Sequence, residues 1–204
     1  MAGAIGDNPP MTTTTICNIA ATLPPLARER PDQIAIRCPG RRGANGLAAY
    51  DVTLSYAQLD ARSDAIAAGL GGYGIGRGTR TVVMVRPSPE FFLLMFALFK
   101  AGAVPVLVDP GIDKRALKQC LDEAQPEAFI GIPLAQLARR LLGWARAARR
   151  IVTVGRRWAW GGTTLAQIER AGHGAGSQLA DTAADDVAAI LFTSGSTGVP
   201  KGVV

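Results

Sequence analysis

Ten consecutive residues hold most of the chemistry in this chain: Thr193-Ser194-Gly195-Ser196-Thr197-Gly198-Val199-Pro200-Lys201-Gly202. Four carry hydroxyls, three are glycines and one is a lysine. Glycine lets backbone N–H groups come close to a ligand and adopt positive φ. Hydroxyls donate to anionic oxygens, and Lys201 adds positive charge. These are the parts of an anion cradle, and the apolar run Val187 to Phe192 just before them reads as a buried strand. The end of a central strand is where α/β sheets hold ligands. The order is not that of a Walker A loop, which needs Gly-Lys-Ser/Thr; here Lys201 follows Pro200 and precedes Gly202. Nor is it a nucleophile elbow, because Gly-x-Ser-x-Gly around Ser196 needs glycine where Ser194 stands. A flexible linker would be repetitive and would not set Pro-Lys-Gly between two apolar stretches.

Other chemically able residues make weaker cases. His173 is the only histidine and sits in a Gly-rich connection, which speaks against a Ser/His hydrolase. Asp185-Asp186 reads as a solvated cap before the last strand, with metal ligation the lesser alternative. Trp158 and Trp160 either pack or cover a cleft. Cys17, Cys38 and Cys120 are odd in number and widely spaced, so they form neither a disulfide framework nor a metal spacing. They read as reduced thiols of a cytosolic protein.

The elements that must position the loop follow from periodicity and caps. Ile34 to Cys38 reads as a strand, with Tyr50 to Thr53 as its hairpin partner. Ser55-Tyr56-Ala57-Gln58 has capping-box spacing, and Leu59, Ile66 and Leu70 continue as a helix ended by Gly71-Gly72. Thr81 to Val85 is a β-branched strand. Ser88-Pro89-Glu90 then opens a helix, apolar nearly all round, that closes at Lys100-Ala101-Gly102. Strand Val104 to Val108, helix Asp113 to Ala124, strand Phe129 to Ile132, helix Leu134 to Trp144 and strand Ile151 to Val154 follow. Gly172 to Asp186 reads as an exposed connection. Strands that are continuous apolar runs, alternating with helices, imply an α/β fold: a mostly parallel sheet covered by helices on both faces.

The chain has 204 residues, 48% hydrophobic and 19% charged, which fits a globular protein and excludes a disordered one. Its net charge of +6 comes mostly from arginine. The basic pairs Arg41-Arg42, Arg139-Arg140, Arg149-Arg150 and Arg156-Arg157 are scattered, and aromatic–basic interleaving is missing, so a nucleic-acid partner is not expected. Phe91 to Phe99 is too short to span a bilayer, which takes about 20 apolar residues. Met1 to Pro10 lacks the charged and apolar regions of a signal peptide, so residues 1–15 read as a flexible leader.

Three stretches carry a family resemblance. Thr193 to Gly202 resembles the phosphate-loop signature of the AMP-forming adenylating enzymes: acyl- and aryl-CoA synthetases, nonribosomal peptide adenylation domains and luciferases. Leu54-Ser55-Tyr56-Ala57-Gln58-Leu59 is similar to that family's early Leu-Thr-Tyr-x-Glu-Leu motif. Lys100-Ala101-Gly102-Ala103-Val104-Pro105-Val106-Leu107-Val108-Asp109-Pro110 is similar to its Lys-Ala-Gly motif ending in Asp-Pro. The wording from Arg86 to Asp113, and from Ile190 to Val204, further resembles the β-lactone synthetases of bacterial long-chain olefin biosynthesis.

The resemblance implies ATP-dependent adenylation of a carboxylate with loss of pyrophosphate, followed by expulsion of AMP. The acceptor is CoA in the ordinary synthetases and the substrate's own 3-hydroxyl in the olefin enzymes. ATP and Mg2+ are thereby implied, as is a long-chain 3-hydroxy fatty acid; a fatty acyl-CoA synthetase and an inactive scaffold are the other readings. It assigns Thr193, Ser194, Gly195, Ser196, Thr197, Gly198 and Lys201 to the β- and γ-phosphates, with Thr193 nearest the magnesium. Two roles stay open to Lys201: charge partner of the phosphates, or a salt bridge that orders the loop. Residues 16–204 would form the N-terminal portion of the AMP-binding domain, ending after the phosphate loop, and are expected to be inactive alone. A complex with other enzymes of the olefin pathway is also implied.

Overall fold

The computed structural model describes residues 17–40, 48–109, 112–193 and 201–203. The expected leader, and Ser194, Gly195, Ser196, Thr197 and Gly198 of the loop, lie outside the described residues. A 3-10 turn at Ile19–Thr22 leads into α1 (Leu23–Glu29). The strands β1 (Ile34–Cys38) and β2 (Val52–Ser55) then pair antiparallel. β2 starts two residues later than the sequence suggests, because Tyr50 and Asp51 are still on the exposed approach to the pair. Ser55 caps α2 (Tyr56–Gly72) with the anticipated box: its Oγ accepts from Gln58 N, and Gln58 Oε1 accepts from Ser55 N.

From there strand and helix alternate through β3 (Arg80–Met84), α3 (Pro89–Lys100), β4 (Val104–Val108), α4 (Lys114–Ala124), β5 (Ala128–Gly131), α5 (Pro133–Leu142) and β6 (Arg150–Thr153). Next come β7 (Thr163–Thr164), α6 (Leu165–Ala171), β8 (Ile190–Thr193) and β9 (Lys201–Val203). α5 stops at Leu142 rather than Trp144 because Gly143 takes a left-handed conformation, φ 65°. The sequence reading missed α1 and the β7–α6 unit, although Thr164 and Gln167 form a second capping box at the start of α6.

The large sheet has the order β7-β6-β5-β3-β4-β8-β9. Every neighbouring pair is parallel except β8 and β9. Alternate residues along each strand serve two cores, as the period of two dictates. Val83, Ala128, Ile130 and Val152 share one core with Ile66 of α2, Leu94 of α3 and Ile168 of α6. Val82, Val106, Phe129 and Ile151 pack under α4 through Cys120 and Leu121, and against Trp144. The sheet is therefore covered on both faces, the architecture its apolar strands imply.

One expectation needs correction. The run Val187 to Phe192 is not wholly a buried strand: β8 begins at Ile190, and Val187 is 47% exposed because it precedes the sheet. The connection from Gly172 to Asp186 is exposed along most of its length, as expected, and is nevertheless anchored. Ala180 N–H donates to Lys100 O at 2.7 Å and Gln178 N–H to Asp64 Oδ1 at 3.0 Å, which fastens it to α2 and α3.

Candidate functional site

β8 lies beside β4 in the register Val106↔Ile190, Leu107↔Leu191 and Val108↔Phe192. Asp109 N–H carries the ladder one step further, donating to Phe192 O at 3.3 Å. The chain then returns as β9, with Leu191↔Val203, Phe192↔Gly202 and Thr193↔Lys201 as antiparallel partners. Thr193 and Lys201 thus stand directly opposite each other at the carboxyl edge of the parallel strands, and residues 194–200 connect them. The base of the ten-residue segment is a ladder, so its two ends are fixed relative to the sheet. Gly202 permits this: a Cβ there would lie 3.0 Å from Cε1 of the buried Phe192.

The same edge receives the starts of α3, α4 and α5. Ser88 Oγ accepts from Phe91 N at 3.4 Å, and Asp113 Oδ2 accepts from Arg115 N at 2.9 Å. Helix starts bring the positive ends of aligned peptide dipoles, which favour anions. α4 also rests against β9. The described ends of the segment, Thr193 and Lys201, therefore lie at an edge whose helix starts favour anions.

The remaining candidates take other places in the fold. His173 is exposed. Asp186 accepts from Ala183 N–H at 3.1 Å and pairs with Arg77 at 2.7 Å. The Ala183 bond, then Arg77, lowers its carboxyl below the ordinary value, as for a turn cap. Among the described residues no group of three or more His, Cys, Asp or Glu could hold a metal ion. Trp160 is buried, and its Nε1–H donates to Thr153 Oγ1 at 2.9 Å, whereas Trp158 is exposed. None of the three thiols is in a disulfide. Burial, with Glu90 beside one and Glu123 beside the other, pushes Cys38 and Cys120 up. A cavity of ≈ 320 Å3 lined by Arg77, Arg80, Val104 and Ile190 opens at the amino ends of β3, β4 and β8, away from the loop.

One feature escaped the sequence reading. Lys100, read there as the end of a helix and the first residue of the Lys-Ala-Gly motif, is fully buried and pairs with Asp60 at 2.6 Å and Asp64 at 2.7 Å. Its ammonium also donates to Asp60 O at 3.0 Å, so all three protons have acceptors. The available signal was the pair Asp60 and Asp64, four apart and so on one face of α2.

Residues 26–204 match the AMP-binding enzyme family. The chain belongs to that family. Within it, the chain is 85% identical over 200 residues to the olefin beta-lactone synthetase of Xanthomonas campestris pv. campestris, covering 98% of this chain and 36% of that protein. It is 82% identical over 189 residues to the olefin beta-lactone synthetase of Stenotrophomonas maltophilia, covering 92% of this chain and 34% of that protein. The apo structure of Mycobacterium smegmatis MbtA superposes with a TM-score of 0.71 at 29% identity, over 93% of this chain and 33% of that one. The chain therefore spans about a third of the length of the relatives it matches. The AMP-binding match runs from α1 through β9, so the loop and the ladder at its base both lie inside it.

Proposed function

We propose that this chain supplies the phosphate-holding part of an AMP-forming carboxylate ligase. The observation that carries the reading is the hydroxyl- and glycine-rich segment held by the β8–β9 ladder at the carboxyl edge of the sheet. Ser194, Ser196 and Thr197, with the backbone of Gly195 and Gly198, hold the β- and γ-phosphates of ATP. Lys201 offsets charge on the departing pyrophosphate, the place where this reaction needs help. Mg2+ fits the donor type, since the Thr193 hydroxyl is an oxygen ligand of the kind hard cations take, and the ion would neutralise phosphate charge when bound. The substrate carboxylate forms a bond to the α-phosphorus while the bond to pyrophosphate breaks.

The names of the two relatives more than 80% identical favour a particular second step. In it, the 3-hydroxyl of a long-chain 3-hydroxy acyl group attacks the acyl carbonyl, AMP leaves and the hydroxyl proton is lost, closing a β-lactone. The enzyme works in the cytoplasm, alongside the other enzymes of olefin synthesis.

The full-length protein, given ATP, Mg2+ and either a 3-hydroxy or a plain fatty acid, with and without CoA, decides between readings. Release of pyrophosphate and a β-lactone mass without CoA is expected. An acyl-CoA formed only with CoA would make it a fatty acyl-CoA synthetase, and no pyrophosphate from any acid would leave a scaffold. Lys201→Ala is expected to lower the rate of pyrophosphate release about a hundredfold, the scale seen when one preorganised charge-stabilising group is lost.

A further inference from the structure

α5 is turned inside out. Leu134, Leu137 and Leu141 are spaced to share one stripe, and they are 64%, 36% and 74% exposed. Leu142 beside them is 42% exposed. The inward positions are small or polar. Ala135 sits against Gly131, where a Cβ would lie 3.1 Å from it. Gln136 is fully buried, its Nε2 donating to Val152 O at 2.9 Å. Arg139 lies over the Phe129 ring, 5.7 Å from its centre. The helix is thus seated on the sheet by alanine, glutamine and arginine, and its leucines stand on the side open to solvent.

The loop after β6 extends this face. Arg140 donates to Ala159 O at 3.4 Å, joining α5 to the segment that carries Trp158, which is 60% exposed. Charge is distributed unevenly around it. Residues 128–168 contain seven arginines and no acidic residue, while the rest of the chain has fifteen basic and sixteen acidic residues. The net positive charge of the protein therefore comes from this one stretch, although the pairs look scattered along the sequence. Arg140, Arg146, Arg149, Arg156 and Arg157 are all exposed.

Leucines and a tryptophan outward, ringed by arginines with no acid among them, match the demands of one surface. The apolar groups enter the boundary between headgroups and acyl chains, tryptophan sits at headgroup depth, and arginines meet anionic lipid. A nucleic acid would use the arginines and leave the leucines in water. We infer that the α5–Trp158 face docks on an anionic lipid bilayer, peripherally, since none of the described helices is long and apolar enough to cross one. Docking there would bring the enzyme to a source of acyl substrate, though the lipid contact itself does not depend on the adenylation reading.

The test uses the full-length protein and vesicles of phosphatidylcholine, either alone or with roughly a third anionic phosphatidylglycerol, the lipid charge that attracts basic surfaces. Co-sedimentation with the anionic vesicles only, weakened by salt and accompanied by a blue shift of tryptophan emission that is absent in Trp158→Phe, is expected. The double variant Leu137→Ser/Leu141→Ser, at exposed positions and checked for an unchanged melting temperature, should lose about tenfold or more in partition. Arg140→Gln/Arg156→Gln should lose about twenty-five-fold, roughly fivefold per arginine. Binding kept by the leucine variant but lost by the arginine variant would mean a polyanion surface and overturn the inference. So would protein that stays in the supernatant with every vesicle, or a dimer in solution that Leu141→Ser dissociates.

Discussion

Lys100 shows how far a single residue can be from its sequence appearance. A lysine ending an apolar helix is ordinarily a solvated charge near the dipole's negative end. Here packing of α2 on α3 removes it from water, and Asp60 and Asp64 replace the lost hydration with two charge-assisted bonds. The backbone oxygen of Lys100 also receives Ala180 N–H, and Asp64 receives Gln178 N–H, so the network holds the segment that leads to β8. Replacing one partner of such a pair leaves unmatched buried charge, whereas replacing all partners removes the problem. Lys100→Met is therefore expected to destabilise by about 3–5 kcal/mol. The triple variant Lys100→Met/Asp60→Asn/Asp64→Asn should regain most of that loss. Denaturant unfolding of the three proteins checks both; a Lys100→Met protein as stable as wild type would show that the ammonium contributes nothing net.

Among the elements, α2 and α6 approach each other backbone to backbone. A Cβ at Gly69 would lie 2.0 Å from Ile168 O, and one at Gly172 would lie 2.0 Å from Ala65 O. The two backbones touch because both positions lack side chains, and Arg62 with Glu169, 2.6 Å apart, closes the same contact at its rim. Gly69→Ala has no flexible neighbour to push aside, so it should cost about 1–3 kcal/mol or more through overpacking, despite alanine's better helix propensity. Thermal unfolding measures this, and a rise in melting temperature would mean that α6 can shift without loss. The elements themselves were largely legible: the Ser55 box, the Ser88 cap and the Asp113 cap fix the starts of α2, α3 and α4 through local hydrogen bonds. α1, which the sequence analysis does not assign, carries Pro24 and Pro25 in its first turn, where a helix tolerates them.

Across the full chain, the sheet gathers the carboxyl ends of its parallel strands and the starts of three helices on one edge. Among the described residues that edge carries the β8–β9 ladder and the three helix starts, and the cavity of ≈ 320 Å3 opens at the opposite ends of the strands. The expected consequence is that these 204 residues alone bind ATP weakly and release no pyrophosphate. Titration calorimetry with ATP checks it; submicromolar binding would mean that the loop and its ladder hold the nucleotide without further help.

Local patterns of period, cap and residue type were enough for the α/β class, most strand and helix centres and the capping box of α2. Each of these depends on residues a few positions apart, so no long-range contact is needed to read it. What depends on distant partners came from packing alone. The return of β9 along β8 placed Lys201 opposite Thr193, since nothing shorter-range aligns residues on either side of the loop. The approach of α2 to α3 buried Lys100 between two aspartates of another helix. The leucines of α5 face outward because Gly131 and Phe129 beneath the helix take alanine and arginine instead. Periodicity reports that a helix has an apolar side; only the surface it packs against decides whether that side faces the core.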